Sequence, residues 1–264
     1  MTIETKILCS NRAVRHLEPL NARHTFGPAA VVFLGPPGAG KGTQARHVAN
    51  EYRFPHISTG DVFRTHVAKK TALGLQSAAS MRRGMLVPDE VVCGMLMEHI
   101  RDLGSTGCLI LDGFPRSLAQ AKWLDHFLHT RTGESHEFPR EAPVAIQINI
   151  GRDQLLRRLA GRRSCPSCGR LYNLHFQPPR NPEICDYQGA ELAMRPDDSE
   201  SVVCERLMVH DQNTLPVTEY YRRKGRLLEI EGNDTVNAVR AAIAVGLESV
   251  FAMQQHKRHR GLGI

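Results

Sequence analysis

A chain of 264 residues, 41% hydrophobic and 23% charged, has a globular composition and the length for one core with small inserted modules. No apolar run approaches the roughly 20 residues that span a bilayer, so membrane insertion is not expected. A formal net charge of +7 and a pI near 9.2 favour acidic partners, and nucleotides and nucleic acid both qualify.

The first 28 residues hold Arg12, Arg15 and Arg23 beside Glu4 and Glu18, without a long hydrophobic stretch. They read as a flexible N-terminal extension rather than a secretory signal, and their acids fit an organellar presequence poorly. The cytoplasm is the expected compartment, with the mitochondrion as the alternative.

Val31-Val32-Phe33-Leu34 reads as a buried strand, and Lys41 to Arg53 as the helix after it. Between them the chain must turn with its amides exposed and no Cβ in the way, which Gly35, Gly38 and Gly40 permit. A nest of amides at a helix N-terminus attracts anions. The spacing Gly35-x4-Gly40-Lys41 is that of a loop that cradles nucleotide phosphates, with Lys41 placed to reach the outer ones. Gly42 stands where such loops usually carry Ser or Thr, so the hydroxyl ligand to Mg²⁺ is missing.

Phe54 to Asp61 reads as a short strand and a turn, with Ser58, Thr59 and Asp61 as candidate caps for a helix carrying Val62, Phe63 and Val67. Residues 71 to 101 read as helical with breaks at Gly74 and Gly84, and Pro88-Asp89-Glu90 starts a new helix. Cys108 to Asp112 is a second apolar strand, closing on an acid suited to hold Mg²⁺ or its waters beside a phosphate loop. A helix from Ser117 to about Leu128, a polar loop from His129 to Ala142, a strand from Val144 to Ile150 and a helix from Asp153 to Ala160 follow. Strands separated by helices predict a parallel sheet covered on both faces, with the site at the carboxyl ends. Residues 164 to 194, rich in Pro, Gly, Asn and Cys, should form turns and short strands. Helices return at Asp198 to Met208 and Leu215 to Lys224, then a strand near Leu227 to Ile230, a Gly232-Asn233 turn and a helix from Thr235 to Met253. The basic tail, residues 255–264 with His256 to Arg260, reads as a solvated, frayed end.

The residues resemble the nucleoside monophosphate kinases, and closely the long-lid adenylate kinases, over nearly all of residues 30 to 250. The motifs that carry this are Gly35-Pro-Pro-Gly-Ala-Gly-Lys-Gly-Thr43, Ile57-Ser-Thr-Gly-Asp61, Leu111-Asp-Gly-Phe-Pro-Arg116 with Gln120, Gly161-Arg-Arg163 and Arg195-Pro-Asp-Asp198. The resemblance implies an α/β P-loop fold of three layers with a five-stranded parallel sheet and a kinase domain over residues 29–254. Within it, a helical AMP-binding flap is expected at about 59–87 and a lid at about 162–198. It implies reversible, Mg²⁺-dependent transfer, ATP + AMP = 2 ADP, by a monomer with no nucleic-acid or membrane partner. A GTP:AMP phosphotransferase and a catalytically idle nucleotide-binding switch are the alternatives.

Such chemistry needs no protein nucleophile; the task is charge neutralisation and alignment, for which arginine's planar fork suits phosphate oxygens. The resemblance implies that Gly38, Ala39, Gly40, Lys41, Gly42 and Thr43 wrap the ATP phosphates, while Arg158 and the main chain near Gly232 meet the donor base. For AMP it implies Arg64 and Arg116 at the phosphate, with Arg195 and Arg206 also on the AMP side, Thr59, Met85, Leu86, Val87 and Gly113 near the nucleoside, and Gln120 reading the adenine edge. Arg162, Arg195 and Arg206 would close on the transferring group, with Asp197 and Asp198 positioning these arginines or the lid hinge and Asp112 holding Mg²⁺ through water. Lid closure would keep water from acting as acceptor.

Seven cysteines, an odd number, make structural disulfides unexpected, and Cys93 and Cys108 read as small core residues. In the lid, Cys165-Pro-Ser-Cys168 is followed after sixteen residues by Cys185-Asp-Tyr-Gln188. Zinc-binding members of the family share this spacing, with Cys or Asp in the fourth place. Three thiolates suit zinc, but neutral Gln188 is a poor fourth ligand. Asp186 and His175 are the substitutes the sequence offers, and the other reading is a lid held by hydrogen bonds and packing.

Overall fold

The computed structural model describes residues 28–103, 108–132 and 142–261. The expected N-terminal extension up to residue 27, and residues 133–141 of the expected polar loop, lie outside the described residues.

Strands β1 (Ala30–Leu34), β2 (His56–Ser58), β3 (Leu109–Asp112), β4 (Val144–Asn149), β5 (Arg162–Ser164), β6 (Leu171–Asn173) and β7 (Leu227–Glu231) alternate with helices α1 (Lys41–Tyr52), α2 (Thr59–Ala68), α3 (Ala72–Arg82), α4 (Asp89–Asp102), α5 (Leu118–Thr132), α6 (Arg152–Ala160), α7 (Glu200–Val209), α8 (Leu215–Arg223) and α9 (Val236–Gly261). Five strands form one parallel sheet in the order β2-β3-β1-β4-β7, as expected; β5 and β6 form a separate antiparallel pair.

Every residue of the central strand β1 is buried, because both faces of a parallel sheet are covered. Its side chains alternate between two cores. Val32 and Leu34 join Leu96, Ile100 and Leu111 with Leu124 and Tyr221, from α4, α5 and α8. Val31 and Phe33 join Val48, Ile110 and Ile146 with Ile243 and Leu247, from α1 and α9. The register sets Phe33 opposite Asp112 and Ile146, and Ser58 opposite Asp112. The carboxyl ends of β1, β2 and β3 therefore finish level, with the glycine loop, Asp112 and Thr59 along one edge.

Several expectations are corrected. Gly74 does not break a helix: it lies in the first turn of α3, where a Cβ would collide with the His66 carbonyl, so it lets α2 and α3 cross closely. Gly84, with φ of 74°, is the true break. Helix α5 runs four residues into the expected loop, to Thr132. Helices α7 and α8 are joined by one π turn, His210–Thr214, instead of a loop. Helix α9 continues to Gly261, so the basic tail does not fray at residue 255. Against the expectation from apolar runs, its stretch Val236–Met253 is long and apolar enough to cross a membrane by length and composition. One side of that stretch, Val239, Ile243, Leu247 and Phe251, packs into the core.

Candidate active site

The glycine loop runs from β1 to α1, with Gly38 and Gly40 in left-handed backbone conformations (φ 87° and 96°). Lys41 opens α1, and its Nζ donates to the carbonyls of Gly35 (2.7 Å) and Pro36 (2.8 Å). Burial pushes its pKa down to about 7; Asp112 opposes this and Arg116, Arg206 and Arg162 add to it. Asp112 alone thus does not offset burial and the three arginines, and a phosphate would add the missing negative charge. A Cβ on Gly42 would stand 2.9 Å from Asp112 Oδ2. Asp112 therefore occupies the side of the loop where a Ser or Thr would project, and its hard oxygen donors fit Mg²⁺ beside the phosphates.

Arg158, on α6, ties the loop to the β7–α9 turn: Nη1 donates to Ala39 O (3.3 Å) and Nη2 to Gly232 O (2.7 Å). These residues, distant in sequence, are thereby brought together. The guanidinium also lies 5.7 Å from the ring centroid of Phe176. Phe176, 47% exposed, carries no sequence signal of this role, being one aromatic in a stretch rich in Pro, Gly and Asn.

A first cavity is bordered by Thr59, Arg64, Met85, Leu86, Val87, Gly113, Arg116 and Gln120, which are the residues expected around AMP, apart from Arg195, together with Arg206. Thr59 Oγ1 and Arg116 Nε both donate to Gly113 O, at 3.0 and 2.8 Å. Arg64 pairs with Asp61 on the same helix. Arg195 does not border the cavity but approaches Asp61 on α2 at 3.8 Å. Gln120 is committed at both ends: Oε1 accepts from the Arg116 amide (2.7 Å) and Nε2 donates to Asp89 Oδ1 (2.6 Å). Ser117 Oγ accepts from the Gln120 amide (3.1 Å) and donates to Asp89 Oδ2 (2.7 Å). Sequence reasoning took Asp89 only as a first-turn acid. The spacing Ser117-x-x-Gln120, a capping-box pattern, was the available signal that this turn is tied back on itself.

A second cavity adjoins the first, sharing Gly84, Leu86, Gly113, Arg116 and Arg206, and reaches Gly35, Lys41, His210 and Thr214. Arg206, which borders both cavities, and Arg162 are held by two aspartates. Asp198, with a fully buried side chain, accepts from Arg162 on both oxygens, Nε to Oδ2 at 2.5 Å, and from Arg206 Nη1 at 3.2 Å. Arg206 also pairs with Asp197 at 3.0 Å. Burial raises the Asp197 carboxyl, but Arg206, Arg64, Arg162 and Arg195 outweigh it and hold it below its ordinary value. Burial lowers Arg116 to about 10, helped by Arg206, and lowers Arg195 to about 10, helped by Arg64 and Arg162. Each guanidinium remains charged at neutral pH but is short of negative charge. The π turn adds Thr214, whose hydroxyl donates to Arg116 O (3.1 Å), and the buried His210, paired through Nδ1 with Asp211 (3.1 Å). Neither was found from sequence, because an i→i+5 turn has no composition of its own.

Around β5 and β6, Cys165-x-x-Cys168-Gly169 and Cys185-x-x-Gln188-Gly189 fold into matching knuckles. Gly169 N and Gly189 N donate to Cys165 O and Cys185 O, both at 2.9 Å, and both glycines have positive φ (69° and 63°). The three sulfurs lie within 4.8 Å of one another, and Cys168 and Cys185 at 3.7 Å. Two thiolates 2.3 Å from a tetrahedral zinc stand about 3.8 Å apart, so the spacing fits. The Tyr172 hydroxyl and the amides of Tyr187 and Gln188 draw the Cys185 thiol down to about 6. Among the described residues neither Asp186 nor His175 joins the cluster. Asp186 instead accepts from the Arg180 amide (2.8 Å).

Residues 33–226 match the family model described as adenylate kinase. The chain belongs to the adenylate kinase family. Its relatives include the adenylate kinases of Clostridium perfringens (strain 13 / Type A), 42% identical over 212 residues (80% of this chain, 94% of the relative), and Moorella thermoacetica, 44% identical over 217 (82% and 97%). That of Archaeoglobus fulgidus is 42% identical over 220 residues (83% and 98%). Membership makes the chain a nucleoside monophosphate kinase, a phosphotransferase of the P-loop fold that acts on nucleotides with ATP and Mg²⁺.

Proposed function

We propose that the first cavity holds AMP, that the second and the glycine loop hold the ATP phosphates, and that ATP + AMP = 2 ADP proceeds across Arg116. The observation that carries this reading is that two cavities, one lined by Gln120 and the other by Lys41, share Arg116 and Arg206. An oxygen of the AMP phosphate forms the new P–O bond to the γ-phosphorus while the bond to the β–γ bridging oxygen breaks, so no protein group accepts the phosphoryl group. Gly38 to Thr43 and Lys41 hold the donor phosphates, and Arg64 and Arg116 hold the acceptor. Arg162, Arg195 and Arg206 neutralise the transferring group, an electrostatic role that strengthens once water is excluded. Mg²⁺, when bound at Asp112 through water, neutralises donor charge. Arg158, Gly232 and Phe176 frame the donor base. A panel of ATP and GTP against fixed AMP tests the assignment: ATP is the better donor, and equal or better use of GTP contradicts it.

The flap at about 59–87 and the lid at about 162–198 belong to the same reading, supported by the contact of Arg195 with Asp61. The enzyme acts as a monomer in the cytoplasm, without nucleic-acid or membrane partners. In the lid, Cys165, Cys168 and Cys185 hold a structural zinc, supported by the knuckle geometry, with Gln188 in the fourth place. Near-stoichiometric zinc is expected in the purified protein, with a thermal midpoint that falls when a chelator strips it. Absence of zinc, or an unchanged midpoint, contradicts the assignment.

A further inference from the structure

The amide of Gln120 has neighbours that accept only one orientation of it. On one side stands the Asp89 carboxylate, which can only accept and takes Nε2–H at 2.6 Å. On the other stands the backbone N–H of Arg116, which can only donate and meets Oε1 at 2.7 Å. Turning the amide over would set its oxygen against a carboxylate and its NH₂ against an N–H. Asp89 is itself held by Ser117, whose hydroxyl accepts from the Gln120 amide N–H and so has its proton free to donate to Oδ2 at 2.7 Å.

Gln120 is 2% exposed and borders the acceptor cavity, so its remaining N–H and its second Oε1 lone pair are what a base edge can meet. We infer that Asp89 is a specificity-positioning residue, which by fixing the orientation of the Gln120 amide makes this cavity take a 6-aminopurine nucleotide and refuse a 6-oxopurine one. The inference rests on the proposed reading of the cavity as the AMP site. Adenine presents an acceptor at N1 and a donor at its 6-amino group, complementary to an N–H and a lone pair in this order. Hypoxanthine presents the reverse, a donor at N1 and an acceptor at O6, and would need the amide turned over. A buried site whose polar groups are left facing their own kind discriminates strongly.

The test is kcat/KM with MgATP for AMP, purine riboside monophosphate and inosine monophosphate, in the wild type and in Asp89→Asn. Wild type should follow that order, because purine riboside keeps the N1 acceptor while inosine puts an N–H against an N–H. The AMP-to-inosine ratio should be on the order of 10³ or more. An asparagine can turn either its oxygen or its NH₂ to Gln120, which leaves the Arg116 N–H alone to hold the amide, so in Asp89→Asn the ratio should fall at least about tenfold, with inosine monophosphate gaining in absolute kcat/KM. A merely structural role would lower both acceptors alike. An unchanged ratio in Asp89→Asn, or wild-type use of inosine monophosphate as good as that of purine riboside monophosphate, overturns the inference. The wild-type series stands even if the variant fails to fold. If wild type did not phosphorylate AMP at all, the acceptor-site reading would fall, and this inference with it.

Discussion

Asp198 is the residue whose loss should be felt furthest from its own position. Its side chain is fully buried, and it binds Arg162 through both oxygens and Arg206 at 3.2 Å. Asp198→Asn keeps the volume but removes the charge and turns one acceptor into a donor facing an arginine N–H. Breaking a buried ion pair from one side costs about 3–5 kcal/mol, because the remaining charge stays buried and unpaired. Asparagine retains one acceptor, and Arg206 keeps Asp197 at 3.0 Å, so the lower end, about 3 kcal/mol, applies. Urea denaturation should show that loss. The effect on turnover should be larger than on substrate affinity: a guanidinium displaced by about 1 Å from the transferring group costs on the order of 10²-fold. A variant within about 1 kcal/mol of wild-type stability and within about twofold of its kcat would refute the view that Asp198 sets the two arginines.

Two further outcomes follow from the loop. Gly42→Ser places a Cβ 2.9 Å from Asp112 Oδ2, so turnover should fall by roughly 10-fold or more and the Mg²⁺ concentration for half-maximal rate should rise; normal Mg²⁺ dependence would contradict the role of Asp112. Lys41, lowered by burial to about 7 in the unliganded protein, is charged below that pH and neutral above it. Bound phosphate favours the charged form, so ATP affinity measured by calorimetry should weaken as pH rises from about 7.5 to about 9 and stay flat in Lys41→Met. A parallel slope in both proteins would show that another group titrates.

What could be read from the sequence follows from what each residue had to do locally. Gly38, Gly40 and Lys41 were legible because a tight turn into a helix leaves few other residue types, and the five strands because buried runs between helices leave few topologies. Gly74 was misread because a glycine needed for close helix packing looks the same in sequence as one that ends a helix. The length of α5 was underestimated because His129 to Thr132 are polar, and an exposed last turn needs no apolar residue. Asp89 escaped because its role is to a residue 31 positions away, while its local duty in the first turn of α4 already explained it. The same holds for Thr214, which meets Arg116 only through the π turn. Cys165, Cys168 and Cys185 were legible as a spacing, but the matching knuckle around Gln188 arises from the folded turn at Gly189.

The central claim is that two nucleotides meet across Arg116 and exchange a phosphoryl group without water taking part. Phosphorus NMR of the purified protein with MgATP and AMP tests it most directly. Two ADP should appear for each ATP consumed, with inorganic phosphate at the background level, and Arg116→Ala should lose most of that turnover while remaining folded. Release of inorganic phosphate in place of ADP, or an Arg116→Ala variant with near-normal rates, would contradict it.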